Sequence, residues 1–283
     1  MVRAVPQGVG RLDRPAQAGG RVIALSAKHN SGATDVLNRN PVSCPREFGI
    51  SQRGCNNVIP FLDTKGGLVV NPDNKSDHAG LRDLSSDSEE VARYYDNWVE
   101  DYDQTLRQWR YEAPEQAAER LRGELAPEAV VLDAGCGTGL SGLALAAAGF
   151  STIDGMDVSQ RSLELAREHR VYRDLAHVDM QDLPLPYDDD TYDGLVCVGV
   201  MTYVPDSAAI LREFRRILKP GGCIVLTQRD DIFEERRFDD TVAALEEEGI
   251  LSGSNISEPM PYLPENAEFG DEVRVHYITC WTT

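Results

Sequence analysis

Between Val130 and Leu140 the chain reads VVLDAGCGTGL: an apolar run, an aspartate, then glycines at 135, 137 and 139. Alternating glycines permit a tight turn and let backbone N–H groups approach a ligand with no Cβ in the way. Three chemistries compete for such a loop. A triphosphate loop needs a lysine and a hydroxyl after its last glycine, but Leu140 and Ser141 follow Gly139, so that chemistry is excluded. A dinucleotide fingerprint is spelled literally by Gly137-Thr138-Gly139-Leu140-Ser141-Gly142, with Asp157 20 residues after Gly137, where an acid would hold a ribose. Its register is displaced, because Asp133, Ala134, Gly135 and Cys136 separate the apolar run from that first glycine. The third chemistry takes residues 133–139 as one unit, D-x-G-x-G-x-G, with an acid at the strand end where a ligand's ammonium could sit. A cofactor built from an amino-acid tail and an adenosine suits that unit, its carboxylate at the loop amides and its amine near Asp133.

The elements that must position this loop alternate along the chain. SEEVARYYDNWVEDYDQTLRQW, from residue 88, sets Val91, Tyr95, Trp98 and Tyr102 at helical spacing with carboxylates between them. PEQAAERLRGEL is a second helix with Pro114 in its first turn. AVVLDA, TIDGMDV, VYRDLAHVD, YDGLVCVGV and CIVLTQR read as strands. Between them lie the helices GLSGLALAAAG, ended by Gly149, SQRSLELAREH, capped by Ser159, and DSAAILREFRRIL, stopped by Pro220-Gly221-Gly222. FDDTVAALEEEGI is a last helix and DEVRVHYITCW a last strand. This order predicts an α/β fold: a doubly wound, mostly parallel seven-stranded Rossmann-like sheet with helices on both faces and an antiparallel last strand.

In such sheets ligands bind beyond the carboxyl ends of the strands, at the switch point beside the first one. With the D-x-G-x-G-x-G loop there, residues 88–280 resemble the class I S-adenosylmethionine (SAM) methyltransferases, and the motifs occur in that family's order. Asp157, in DGMDVS, falls where the family's acid grips both ribose hydroxyls, with Val158 beside it. HVDMQDLPLPYDDDTYDGLVCVGV is similar to the family's third-to-fourth-strand segment, and LREFRRILKPGGCIVLT to the helix, turn and fifth strand after it. The resemblance implies SAM as cofactor, held by Asp133, Gly135, Cys136, Gly137, Thr138 and Gly139. It further implies Asp179 at the adenine amino group, the Met180 backbone against the ring, and Val198 and Tyr102 closing the site. The methyl acceptor is expected beyond the fourth strand, near Val198, Gly199, Met201 and Tyr203 and under the 88–108 helix. No residue declares itself as a general base, and no metal-ligand spacing is evident.

Composition sets the outer limits. Of 283 residues, 41% are hydrophobic and 27% charged, which is ordinary for a globular chain. The formal net charge of −19 is unevenly spread: residues 1–80 carry ten Lys/Arg against six Asp/Glu, and residues 81–283 carry 18 against 41. Phosphate backbones and anionic membranes would repel the acidic region, so neither nucleic acid nor a membrane is expected as a partner. Residues 1–80 scatter Gly and Pro without a sustained period and are expected to be an irregular or disordered extension before a methyltransferase domain at 88–283. The six cysteines show no paired metal-ligand spacing; with Cys136, Cys197, Cys223 and Cys280 in apolar or Gly-rich segments, reduced buried thiols and a cytoplasmic compartment are expected. The chain is further expected to be a monomer.

Several residues have plainer readings. Asp133 and Asp157 could cap the helices that follow them, and Asp182 could stand in for Asp179. Tyr94, Tyr95, Trp98 and Tyr102 are either packing or a lid; Trp98 is read as packing, and Tyr102 or Tyr94 as facing the cofactor. His177 and His276 are read as structural, Cys136 as supplying its backbone, and Asp188, Asp189 and Asp190 as a solvated turn. The function expected is methyl transfer to a small molecule or a protein side chain. A non-catalytic SAM- or partner-binding module and a nicotinamide-dependent oxidoreductase remain as alternatives.

Overall fold

A computed structural model describes residues 86–266 and 272–283, with the side chains of 97–101 left out. The expectation for residues 1–80 and the packing of Trp98 lie outside the described residues. The helices are α1 Ser88–Gln108, α2 Ala113–Glu124, α3 Leu140–Ala147, α4 Gln160–Glu168, α5 Ser207–Ile217, α6 Asp230–Glu235 and α7 Phe238–Glu247. The strands are β1 Val130–Ala134, β2 Thr152–Asp157, β3 Asp174–His177, β4 Tyr192–Cys197, β5 Leu218–Arg229, β6 Leu251–Ile256, β7 Met260–Pro261 and β8 Arg274–Thr282.

Along the sheet the order is β3-β2-β1-β4-β5-β8-β6, and the two-residue β7 pairs with β8. The first five strands in that order are mutually parallel, while β8 runs antiparallel to both β5 and β6. The mixed, mostly parallel sheet and its antiparallel last strand match the sequence expectation. Among the described residues seven strands lie side by side, as expected, and the short β7 adds an eighth against β8.

Two layers of helices follow from the side-chain alternation within each strand. Leu132, Leu195, Cys197, Ile224 and Leu226 face a core built on Ile210, Leu211, Phe214 and Ile217 of α5 and Phe238, Val242 and Leu245 of α7. Their neighbours Val131, Val196, Cys223 and Val225 face the other way, onto Ala117, Ala118 and Leu121 of α2 and Ala144 and Leu145 of α3. The near-continuous apolar runs of β4 and β5 are therefore a consequence of burial on both faces.

Capping follows the local chemistry. Asp87, Ser159 and Asp206 cap α1, α4 and α5 by accepting from the N–H groups of Glu90, Ser162 and Ala209. Pro114 sits in the first turn of α2. The Pro220-Gly221-Gly222 turn does not end α5: the helix stops at Ile217, and Leu218 already pairs with Tyr192. Lys219 to Gly222 form a bulge before Cys223 takes up pairing opposite Gly194.

Phe214 is wholly buried among the α5 and sheet residues of the first core. Phe214→Ala is expected to cost about 3–5 kcal/mol of stability, read as a lower urea midpoint at unchanged slope.

A candidate cofactor and acceptor site

The carboxyl ends of β1, β2 and β4 open on one cavity roofed by α1. Gly135, Gly137 and Thr138 line it after β1, and Asp157, Val158, Ser159 and Ser162 after β2. Val178 to Gln181 line it after β3, and Val198 to Val200 with Thr202 to Val204 after β4. This is the switch point of the sheet, where β1 is flanked by β2 on one side and β4 on the other.

The loop after β1 is shaped by its glycines. Gly135, at φ +76°, packs so closely on the loop after β4 that a Cβ would lie 2.4 Å from Val200 Cγ2. Its N–H and that of Cys136 both donate to the Met156 carbonyl, at 2.8 and 2.9 Å, folding the loop back over β2. Gly137, at φ +52°, lines the cavity, and a Cβ there would meet no protein atom within 4 Å. The Gly137 N–H donates to Asp157 Oδ2 at 2.8 Å, and the Gly139 N–H to the Cys136 carbonyl at 2.9 Å. The amides of 135, 136, 137 and 139 are thus already paired inside the protein, which differs from the expectation that the loop amides hold a ligand's carboxylate.

Asp157 joins two of the site's loops. Its Oδ2 accepts from Gly137 and its Oδ1 from the Ser159 N–H, each at 2.8 Å. Burial raises its pKa, and the two amide bonds oppose that rise. Its second lone pairs remain for a ligand's hydroxyls, since each carboxylate oxygen can accept more than one bond.

Of the residues expected at the cofactor, Gly135, Gly137, Thr138, Asp157, Val158, Asp179, Met180, Val198 and Tyr102 line the cavity. Asp133, Cys136 and Gly139 are not among its lining residues. Asp133 is wholly buried; its Oδ2 accepts from the Tyr172 hydroxyl at 2.7 Å, and its Oδ1 has no partner. Burial pushes its carboxyl up to about 7 against the pull of the Tyr172 bond. Burial likewise raises the Cys136 thiol well above its ordinary range, and the adjacent carboxylates add to that rise.

Three groups hold α1 over the cavity. The Ser159 hydroxyl donates to Asp96 at 2.5 Å, and the Thr138 hydroxyl to Asp103 at 2.6 Å. The Gln181 side chain donates to the Ser86 carbonyl and the Ser88 hydroxyl at 2.8 and 2.9 Å. The loops after β1, β2 and β3 are each tied to the lid or to the turn that starts it.

Beyond β4 the cavity ends among tyrosines. Tyr95, Tyr102, Tyr111, Tyr203 and Tyr262 line it, together with Arg229, which forks onto Asp231 at 2.5 and 3.1 Å. Burial first, then neighbouring tyrosines, raise Tyr95, Tyr102 and Tyr111 well above their ordinary pKa, and burial raises Tyr203 and takes Tyr262 to about 12. None ionises near neutral pH. Sequence reasoning missed Tyr111, Tyr262 and Arg229, which lie on segments far apart in the chain and carry no motif; the one available cue was that they are polar residues at element ends.

Other expectations resolve plainly. Met201, expected near the acceptor, is fully buried in the first core and does not line the cavity. Tyr94 is absent from the lining, and its ring meets Tyr95 edge-on. His177 bonds the Val158 carbonyl at 2.7 Å; His276 bonds the Ser257 carbonyl at 2.8 Å and stacks on Phe233. Asp189 pairs with Arg216, in the exposed turn 188–190. Among the described residues no group of three or more His, Cys, Asp or Glu could hold a metal, and no helix is long and apolar enough to cross a membrane.

Residues 132–226 match a family model described as a methyltransferase domain. Human methyltransferase-like protein 27 is 33% identical over 182 residues, covering 62% of this chain and 71% of that protein. The chain belongs to the class I SAM-dependent methyltransferases. Methyltransferase GfsG of Streptomyces halstedii is 36% identical over 146 residues, 48% of this chain and 50% of that one. A SAM-dependent methyltransferase of Thermotoga maritima shares the fold, with a TM-score of 0.50 at 19% identity over 67% of this chain and 98% of that one. SAM is the methyltransferase's cofactor, and a methyl acceptor is its second substrate.

The buried Asp133 of this methyltransferase predicts a pH signature. Its folded pKa of about 7 stands above its ordinary 3.8, so the native state binds the proton more tightly than the unfolded chain. Its contribution to stability is greatest below pH 3.8 and is lost as pH rises toward about 7. The stability of Asp133→Asn relative to the parent is therefore expected to improve by up to roughly 1.4 kcal/mol per pH unit across that window, read by urea unfolding at pH 5, 6 and 7.

Proposed function

We propose that the cavity holds SAM along the ends of β1, β2 and β3 and a methyl acceptor at the tyrosine-lined end beyond β4. The observation that carries this reading is the convergence, in one continuous cavity, of the Gly135–Thr138 loop, Asp157 and the Asp179–Met180 segment with that second, aromatic end. The unfilled space at Gly137 and the unspent lone pairs of Asp157 suit a bulky adenosine with vicinal hydroxyls.

When bound, SAM supplies a methyl group on a sulfonium, open to in-line displacement. The chain's own residues then bind, orient and exclude water. Asp157 would accept from the ribose hydroxyls, Asp179 from the adenine amino group, and Val158, Met180 and Val198 would pack the ring and the methyl-bearing carbon. Asp133, behind the loop with one unpaired oxygen, acts on the cofactor's ammonium only across the loop or by shaping it. The α1 lid, tied to three cofactor loops, fixes the donor against the acceptor, and catalysis rests chiefly on that orientation. The tyrosines at the acceptor end stay neutral and supply no base, and the reading assigns none there. The four described cysteines are unpaired, which supports a reducing compartment such as the cytoplasm.

Calorimetry tests the cofactor half. SAM is expected to bind, NAD is not, and Asp157→Ala should weaken SAM by about 10- to 100-fold, the range for hydrogen bonds to a charged group. Asp157→Asn, which keeps an oxygen acceptor and the size, should lose less. SAM affinity unchanged in both variants would remove Asp157 from the site, and NAD binding without SAM binding would overturn the reading.

A further inference from the structure

The acceptor end has a proton inventory that selects among acceptors. The Tyr95 and Tyr203 hydroxyls lie 3.2 Å apart and those of Tyr111 and Tyr262 3.3 Å apart. A pair of hydroxyls joined by one hydrogen bond spends one of its two protons, so each pair retains one O–H donor. None of the four hydroxyls has a further hydrogen-bond partner among the described residues. The Tyr111 and Tyr262 oxygens stand 3.2 and 3.0 Å from where a Cβ of residue 199 would be, just past the end of β4. All four tyrosines are partly buried and line the cavity.

Charge points the same way. Among the described residues Arg229, paired with Asp231, is the charged side chain lining this end, close enough to Tyr203 and Tyr262 to act on both electrostatically. The carboxylates that line the cavity, Asp157 and Asp179, lie at the cofactor end. A cage for a cation would present open ring faces. Here the rings meet edge-to-face instead, Tyr111 on Tyr262 at 86° and Tyr95 on Tyr203 at 77°, so one ring of each pair has a face covered by its partner's edge.

Resting on the methyltransferase reading above, we propose that the acceptor is an ionised oxygen on an aromatic or conjugated skeleton, a phenolate or enolate, held by the spare O–H donors of the two tyrosine pairs. The oxygen's lone pair forms the new C–O bond as the donor's C–S bond breaks and its electron pair returns to sulfur. Anion and sulfonium cancel, no proton moves in the step, and the absence of an ionisable base among the lining tyrosines follows. An amine acceptor would react through its lone pair and has no negative charge for the spare O–H donors to stabilise.

The test uses the full chain saturated with S-adenosylhomocysteine, so that binding is read without turnover. 4-Nitrophenol reports its own ionisation by colour. The bound probe is expected to titrate lower than in water, with the phenolate favoured at least about tenfold over the neutral isostere 4-nitroaniline. The Tyr111→Phe/Tyr262→Phe variant keeps both rings and the Tyr95–Tyr203 pair; it should reduce that preference several-fold while holding S-adenosylhomocysteine with unchanged affinity, and an unchanged preference would overturn the proposal. Three further results would do the same: no phenolate binding by the loaded protein, equal affinity for the two probes, or tighter binding of benzyltrimethylammonium than of the phenolate. Failure to bind S-adenosylhomocysteine would instead bring down the cofactor site and this inference with it.

Discussion

The site depends on the carboxylate of Asp157. One oxygen takes the Gly137 amide and the other the Ser159 amide, so the glycine loop after β1 and the start of α4 are held in fixed relation by a single side chain. Both are charge-assisted bonds to backbone donors in a buried setting, where such bonds are at their strongest. The arrangement also explains how a carboxylate survives at depth: burial penalises its charge, and two amides return part of that penalty. Any ligand group that reaches Asp157 therefore meets an acceptor already oriented, with no rearrangement required.

From that point the lid follows. Ser159 and Thr138 belong to the loops joined by Asp157, and their hydroxyls donate to Asp96 and Asp103 of α1. The carboxylates that make α1 look like a solvated helix in sequence are partly the anchors that seat it. Their apolar neighbours Val91, Tyr95, Tyr102 and Leu106 turn toward the cavity. Packing and latching on one helix make the roof over the loops after β1 and β2 and a wall of the tyrosine-lined end the same element.

The two ends differ in their electrostatics. The carboxylates of Asp157 and Asp179 mark one end, suited to hydroxyl and amino groups, whereas neutral tyrosines and a paired arginine line the other. The strongly acidic surface expected from composition says nothing about this interior. Net charge acts at long range on encounter, while selection inside the cavity is set by which donors and acceptors are left without partners.

The sequence alone was enough for the parallel sheet, its two helical layers and the glycine loop after the first strand. Those features rest on local physics: the apolar periods of the strands and of α5, the cap Ser159, and glycines where positive φ is needed. It could not reveal β6, whose LSGSNI is a poor strand by propensity and pairs only because β8 offers it an edge. Nor could it show that Leu218 is already strand, since the bulge at Lys219–Gly222 exists only against β4. The acceptor end was the least legible. Tyr111, Tyr262 and Arg229 sit on three separate segments, and only tertiary packing brings their side chains to the end of β4. Likewise Asp133 set the register of the loop in sequence, yet packing placed it behind the loop, on Tyr172. Residue type and spacing decide what a segment can do; which donors remain unpaired, and therefore what the site can select, is decided when distant segments meet.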